Sequence, residues 1–234
     1  LKEFDRRAFL VLGFGAVLSG CMGTYWKGPG ELEEKPLSPP PARPKETEDI
    51  DLAAPIYEDH LTSFTPNLRP ISRRLWSLRS PRFPRLQPIG RIWRVTVHHE
   101  GNPSPNYRTD PRNVAENLRQ IQKVHMEQSN AGDIGYHFVI DRAGRIWAGR
   151  NVYYRGAHAG GKANEGNIGI MCLGNFDLQD PTLPQCSALK AFVRLLLRTH
   201  GLSSASVRTH RELRPTRCPG DRLQAFVDRM RLGL

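Results

Sequence analysis

The chain has 234 residues, with 34 Lys and Arg against 23 Asp and Glu, and a formal net charge of +11. A basic balance of this size invites a nucleic-acid reading, but the arginines are scattered along the whole chain without a basic helix or an interleaved aromatic platform. Nucleic acid is therefore excluded as a partner, and attraction to an anionic envelope, whether lipid head groups or wall polymer, is the simpler consequence.

In chain order, the first segment is LKEFDRRAFLVLGFGAVLSGCMG, with Lys2, Arg6 and Arg7 ahead of an apolar run from Ala8 to Leu18. The run is far below the roughly 20 residues a helix needs to cross a bilayer, and no second run is long enough to span one, so residues 1–21 read as a targeting segment and not a domain. Leu18, Ser19, Gly20 and Cys21 resemble a bacterial lipobox, whose cysteine is lipidated, and Arg6 and Arg7 resemble a twin-arginine signal with Asp5 where Ser or Thr is more usual. More than one acyl chain on Cys21 would anchor the protein stably to a membrane. Met22 after the cysteine resembles outer-membrane sorting, so the expected location is the cell envelope, lipid-anchored and facing the periplasm. Residues 22–70 are rich in Pro and Glu and cannot bury enough apolar surface to offset their ordering entropy, so they read as a flexible linker. Residues 71–234 are left as one domain, a length that suits a single core and is expected to be monomeric.

Within that domain IWRVTVH (92–98) is rich in β-branched residues and reads as a strand. Asp110 and Pro111 cap a helix with Val114, Leu118, Ile121 and Val124 or His125 on one face. The stretches 136–140 and 145–148, joined by Asp141-Arg142-Ala143-Gly144, form a hairpin, and 167–173 is a further strand. Two helices follow: 184–200, stopped by Gly201, and one beginning at Asp221. The alternation gives an α/β fold, a central mixed β-sheet flanked by helices.

The segment RTHRELRPTRCPGDR (208–222) sets His210 and Cys218 in a charged stretch bounded by Pro215, Pro219 and Gly220. A catalytic zinc site takes three protein ligands from imidazole, thiolate or carboxylate and keeps one position open. His210 and Cys218 supply two, and the third comes best from VTVHHEG, where His98 and His99 end a buried strand. Adjacent strand residues point to opposite faces, so only one of them serves; His99 shares a face with Val95 and Val97, His98 with Thr96, and parity does not choose between them. Cys172 and Cys186 read as buried thiols or a disulfide, with thiols favoured.

The segments ISRRLWSLRSP, WRVTVHHEG, HMEQSNAGDIGYHFVIDRAGRIWAGR, GAHAGG, GNIGIMCLGNF and THRELRPTRCPGDRL, in this order, resemble the zinc amidase family that includes peptidoglycan recognition proteins and the phage T7 lysozyme type. The resemblance covers about residues 71–230 and implies a peptidoglycan recognition protein-like fold. It also implies Zn2+ held by His98, His210 and Cys218, a catalytic Tyr136, and Thr216 as the polar group near the metal. His158 in GAHAGG is implied as a groove residue, with a turn-capping role as the alternative. Arg150 matches an arginine suited to a diaminopimelate carboxylate, while Asn130 and Ala131 match neither of the family's pairs that mark stem-peptide preference. The implied activity is hydrolysis of the amide between N-acetylmuramic acid and L-alanine in peptidoglycan. The rival readings are a non-catalytic peptidoglycan-binding module or sensor, and a structural lipoprotein that tethers membrane to wall.

Overall fold

A computed structural model of the chain describes residues 68–234, so the expected lipidation site Cys21, the targeting segment and nearly all of the linker lie outside the described residues. Five strands form one mixed sheet: β1 (Arg94–His99), β2 (Phe138–Ile140), β3 (Ile146–Ala148), β4 (Asn167–Cys172) and β5 (Val207–Thr209), in the order β3-β2-β4-β1-β5. Only the β2–β3 hairpin is antiparallel; β4 pairs parallel with both β2 and β1, and β5 pairs parallel with β1. A sheet of this kind must be covered on both faces, which is why β2, β3 and β4 are buried from end to end.

One face carries Val95, Val97, Ile168, Ile170, Cys172, Phe138 and Ile140 against α2 (Leu183–His200) and α3 (Asp221–Arg231), whose buried residues include Leu189, Phe192, Val193, Leu196, Leu223 and Val227. The other carries Val139, Trp147 and Met171 against α1 (Pro111–Glu127) and the segment around Trp76. Trp76 is fully buried and donates its indole N–H to the Ala148 carbonyl at 2.8 Å. Among the described residues no helix is long and apolar enough to cross a membrane.

Local chemistry sets the helix ends. The Asp110 carboxylate accepts from the N–H groups of Arg112 and Asn113, Thr182 does the same for Gln185, and Gly201 closes α2 in the left-handed conformation at φ 62°. The buried stripe of α1 is Val114, Ala115, Leu118, Gln122 and Met126, so it departs from the expected one in its second half: Val124 is exposed, and polar Gln122 is fully buried. Burial of Gln122 is tolerated because its amide donates to Asp133 at 2.9 Å and its oxygen faces the Ser77 hydroxyl at 3.1 Å. β1 extends one residue beyond the expected strand, to His99, and β5 is a strand that the sequence pattern did not reveal.

Candidate metal centre

The C-terminal ends of β1 and β5 hold the candidate site. Their parallel register pairs Val97 with Thr209, so the next residues, His98 and His210, leave the two strands side by side. Their rings stand 4.7 Å apart between centroids. The alternation left open by the sequence is thereby resolved: His98 lies on the α1 face, opposite to Val95, Val97 and His99, and it is His98 that meets His210.

Cys218 reaches the same point through a tightly bonded loop. The backbone N–H of Arg211 donates to the Cys218 carbonyl at 2.9 Å, the Arg214 N–H to the His210 carbonyl at 3.1 Å, and the Gly220 N–H to the Arg217 carbonyl at 2.7 Å. Thr209 and Glu212 form a reciprocal cap at the start of this loop. Gly220, at φ 84°, lies so close to the Phe176 backbone that a Cβ there would fall 2.6 Å from its carbonyl carbon. Thr216 accepts the Cys218 N–H on its hydroxyl at 3.2 Å, so the contact it makes is one that shapes the loop behind the thiol.

His98, His210 and Cys218 are all buried, and one potential ligand atom from each lies within 4.8 Å of the other two. The Cys218 sulfur is 3.6 Å from His98 Nδ1 and accepts the backbone N–H of His99 at 3.4 Å. His210 Nδ1 is buried with no hydrogen-bond partner among the described residues. Leaving such a nitrogen unpaired costs about 1–3 kcal/mol, and two imidazoles with one thiol are a donor set that zinc accepts. The residues present therefore fit a metal ion. Burial, followed by the neighbouring His210, His158 and His99, holds the His98 pKa well below its ordinary value, and burial, then Arg214 and His99, lowers that of His210 to about 4. Both imidazoles are thus neutral at pH 7, as ligation demands.

Tyr136 lies beside this cluster, buried, with its ring 5.2 Å from that of His98. The expected strand from residue 136 starts only at Phe138, so Tyr136 is delivered by the segment just before β2, which two arginines fix from behind. Arg73 forms a bidentate pair with the Asp133 carboxylate at 2.6 and 2.9 Å, both side chains nearly inaccessible. Arg150, 4% exposed, donates to the carbonyls of Ile134 at 2.8 Å, Asp133 at 3.0 Å and Arg155 at 2.6 Å. Arg150, expected to meet a substrate carboxylate, thus directs three of its N–H groups at the turn that presents Tyr136. Asn130 stands exposed at the end of α1 with φ 53°, and its carbonyl accepts from Arg85 at 3.1 Å.

His158, expected as a groove residue, lies in the interior. It is 1% exposed and sits behind His98, with its Nδ1 2.9 Å from His98 Nε2 and its own Nε2 3.1 Å from the Asn167 carbonyl. Asn164 and Asn167, which hold this histidine in place, carry no signal in the sequence beyond their position around GAHAGG. His137 packs nearby, its Nδ1 accepting the Gly169 N–H at 2.9 Å and its Nε2 facing the Tyr154 carbonyl at 2.9 Å. On the opposite face, Cys172 is a buried free thiol, as favoured, while Cys186 is free but only half-buried, and burial pushes the Cys172 thiol pKa up.

Comparison with known proteins agrees with this geometry. The chain is 32% identical over 146 residues to the human N-acetylmuramoyl-L-alanine amidase, covering 58% of this chain and 23% of that protein. It is 31% identical over 119 residues to peptidoglycan-recognition protein SD of Drosophila simulans, covering 50% of this chain and 63% of that protein. The chain thus spans less than two thirds of either relative. Its fold is similar to that of a Drosophila peptidoglycan recognition protein LB mutant in complex with tracheal cytotoxin, with a TM-score of 0.60 and 28% identity over 69% of this chain and 95% of that one. The family model described as N-acetylmuramoyl-L-alanine amidase matches residues 88–221, a span that contains His98, Tyr136, His158, His210 and Cys218, and the chain belongs to that family.

Proposed function

We propose that this protein is a zinc-dependent amidase that hydrolyses the amide between N-acetylmuramic acid and L-alanine in peptidoglycan. The observation that carries the reading is the convergence of His98, His210 and Cys218 within 4.8 Å, with the Tyr136 ring 5.2 Å from that of His98. His98, His210 and Cys218 would hold the zinc, which when bound would supply Lewis acidity for attack on the amide. The chain does the remainder. His98 and His210 offer neutral nitrogens from the ends of two adjacent strands, a rigid platform that keeps donor spacing constant. Cys218 offers its sulfur with part of its charge met by the His99 N–H. Tyr136 donates a hydrogen bond from its phenol O–H to the oxygen that gains negative charge as the amide is attacked.

Acylation of Cys21, read from the sequence alone, places this domain within reach of the wall, with residues 22–70 as the spacer. The activity is tested by incubating the full chain with purified peptidoglycan and measuring stem-peptide release, with zinc content determined on the same sample and Cys218→Ala beside it. Release by the zinc-loaded wild type and not by the variant is the expected outcome. A zinc-bound protein that is retained on the wall and releases nothing is instead a binding module.

A further inference from the structure

His158 is buried against a prospective metal ligand, and no role in substrate contact accounts for the way it is held. Its neighbours fix where its protons lie. The Asn167 carbonyl, 3.1 Å from His158 Nε2, can only accept, so Nε2 carries the hydrogen. His158 Nδ1 is then the acceptor in its 2.9 Å contact with His98, and His98 Nε2 must be the donor. A neutral His98 with its hydrogen on Nε2 has its lone pair on Nδ1, the nitrogen 3.6 Å from the Cys218 sulfur.

The surroundings are built around this chain of bonds. A Cβ on Gly156 would lie 2.3 Å from the His158 ring, and one on Gly169 would lie 2.5 Å from it, so the imidazole occupies a slot that two glycines leave open. The Asn164 side-chain oxygen accepts the backbone N–H groups of His158 and Ala159 at 2.9 and 2.8 Å, which sets the backbone from which the ring projects. Asn167 is pinned in turn, its side chain accepting from the Thr96 hydroxyl at 2.8 Å and donating to the Ala163 carbonyl at 2.7 Å.

We propose that His158 is a positioning residue for the metal centre: fixed by the Asn167 carbonyl, it accepts the Nε2–H of His98 and holds His98 in the tautomer whose Nδ1 lone pair faces Cys218 and the metal. The proposal rests on the zinc reading given above and deepens it. Partners of this kind typically alter metal affinity by about 10- to 100-fold.

The test measures zinc affinity by competition with a chromophoric chelator on the full chain, for the wild type, His158→Leu and His158→Gln. It adds nitrogen-15 NMR of the histidine side chains in the zinc-free wild type. His158→Leu is expected to bind zinc about 10- to 100-fold more weakly. His158→Gln, whose amide can accept from His98 and donate to Asn167, should recover part of the loss. In the wild type, His98 and His158 should each carry a single hydrogen, on Nε2. Unchanged zinc affinity in His158→Leu, a hydrogen on His98 Nδ1, or a doubly protonated His158 at pH 7 overturns the proposal. Should His158→Leu fail to fold, the wild-type NMR decides alone. Should the wild type take no zinc, the zinc reading is what fails, and the NMR still decides whether His158 fixes the His98 tautomer.

Discussion

At the scale of single residues, the proposed reading separates groups that would hold a metal from a group that would act on substrate. Cys218→Ser leaves the bonded loop around it intact but replaces a thiolate by a poor zinc ligand, so bound zinc and stem-peptide release should fall together. Retention of a full zinc equivalent by the variant would remove Cys218 from the ligand set. Tyr136→Phe keeps the ring packed beside His98 and removes only the hydroxyl. Zinc content should stay near one equivalent while kcat drops about 100-fold; a rise in KM alone would point to a binding role. Behind Tyr136, the Arg73–Asp133 pair is buried with Asp133 1% exposed. Arg73→Ala leaves that carboxylate without its bidentate partner, and the expected cost is about 3–5 kcal/mol in urea denaturation. These contacts explain which placements the sequence made legible and which it did not. His210 and Cys218 stood out because a histidine and a cysteine in a Pro- and Gly-bounded polar loop have few other uses. The contacts of Arg150 were not legible because an arginine beside a turn has the same appearance whether or not its guanidinium meets backbone carbonyls.

At the scale of elements, strong periodic or capped segments were legible and the short ones were not. Asp110 and Pro111 mark the start of α1, and the carboxylate does accept the two N–H groups there. Asp110→Ala should therefore cost about 1 kcal/mol in chemical denaturation, and no change would mean that tertiary packing alone fixes that end. β5 escaped notice because three residues, one of them the charged Arg208, give no alternation to detect. It is nonetheless the element that makes the site, since its parallel register with β1 brings His210 beside His98. β4 contributes by omission. Gly169 pairs with Thr96 of β1 and presents no side chain, and the His158 ring occupies the space. Gly169→Ala is accordingly expected to lower both the melting temperature and zinc affinity, and a variant with wild-type zinc affinity would show that the slot can widen without cost.

At the scale of the whole molecule, a set of buried neutral histidines couples stability to pH. His137 is buried and its pKa is lowered to about 4, first by burial, with the Tyr154 carbonyl opposing; burial likewise lowers His125 to about 4. Their unfolded values lie near 6.5, so between about 6.5 and 4 the unfolded chain binds protons that the folded chain refuses. Stability is therefore full above pH 6.5 and falls as the pH drops through that window, by about 2 kcal/mol from His137 alone at pH 5. Urea midpoints of the zinc-free protein at pH 7.5 and pH 5 should show this decline, and equal midpoints would contradict the burial of these rings as neutral groups. The α/β class, the mixed sheet and the three helices followed from the sequence by itself, because hydrophobic period, caps and turn residues are local signals that each few residues carry. So did the residue types of the candidate metal site. Which of His98 and His99 joins His210, the burial of Arg150, and the place of His158 behind His98 were decided only by the tertiary structure. The first depends on the register of parallel strands that lie more than a hundred residues apart, and the other two on which backbone carbonyl or ring a side chain meets once the segments pack, neither of which sequence pattern alone carries.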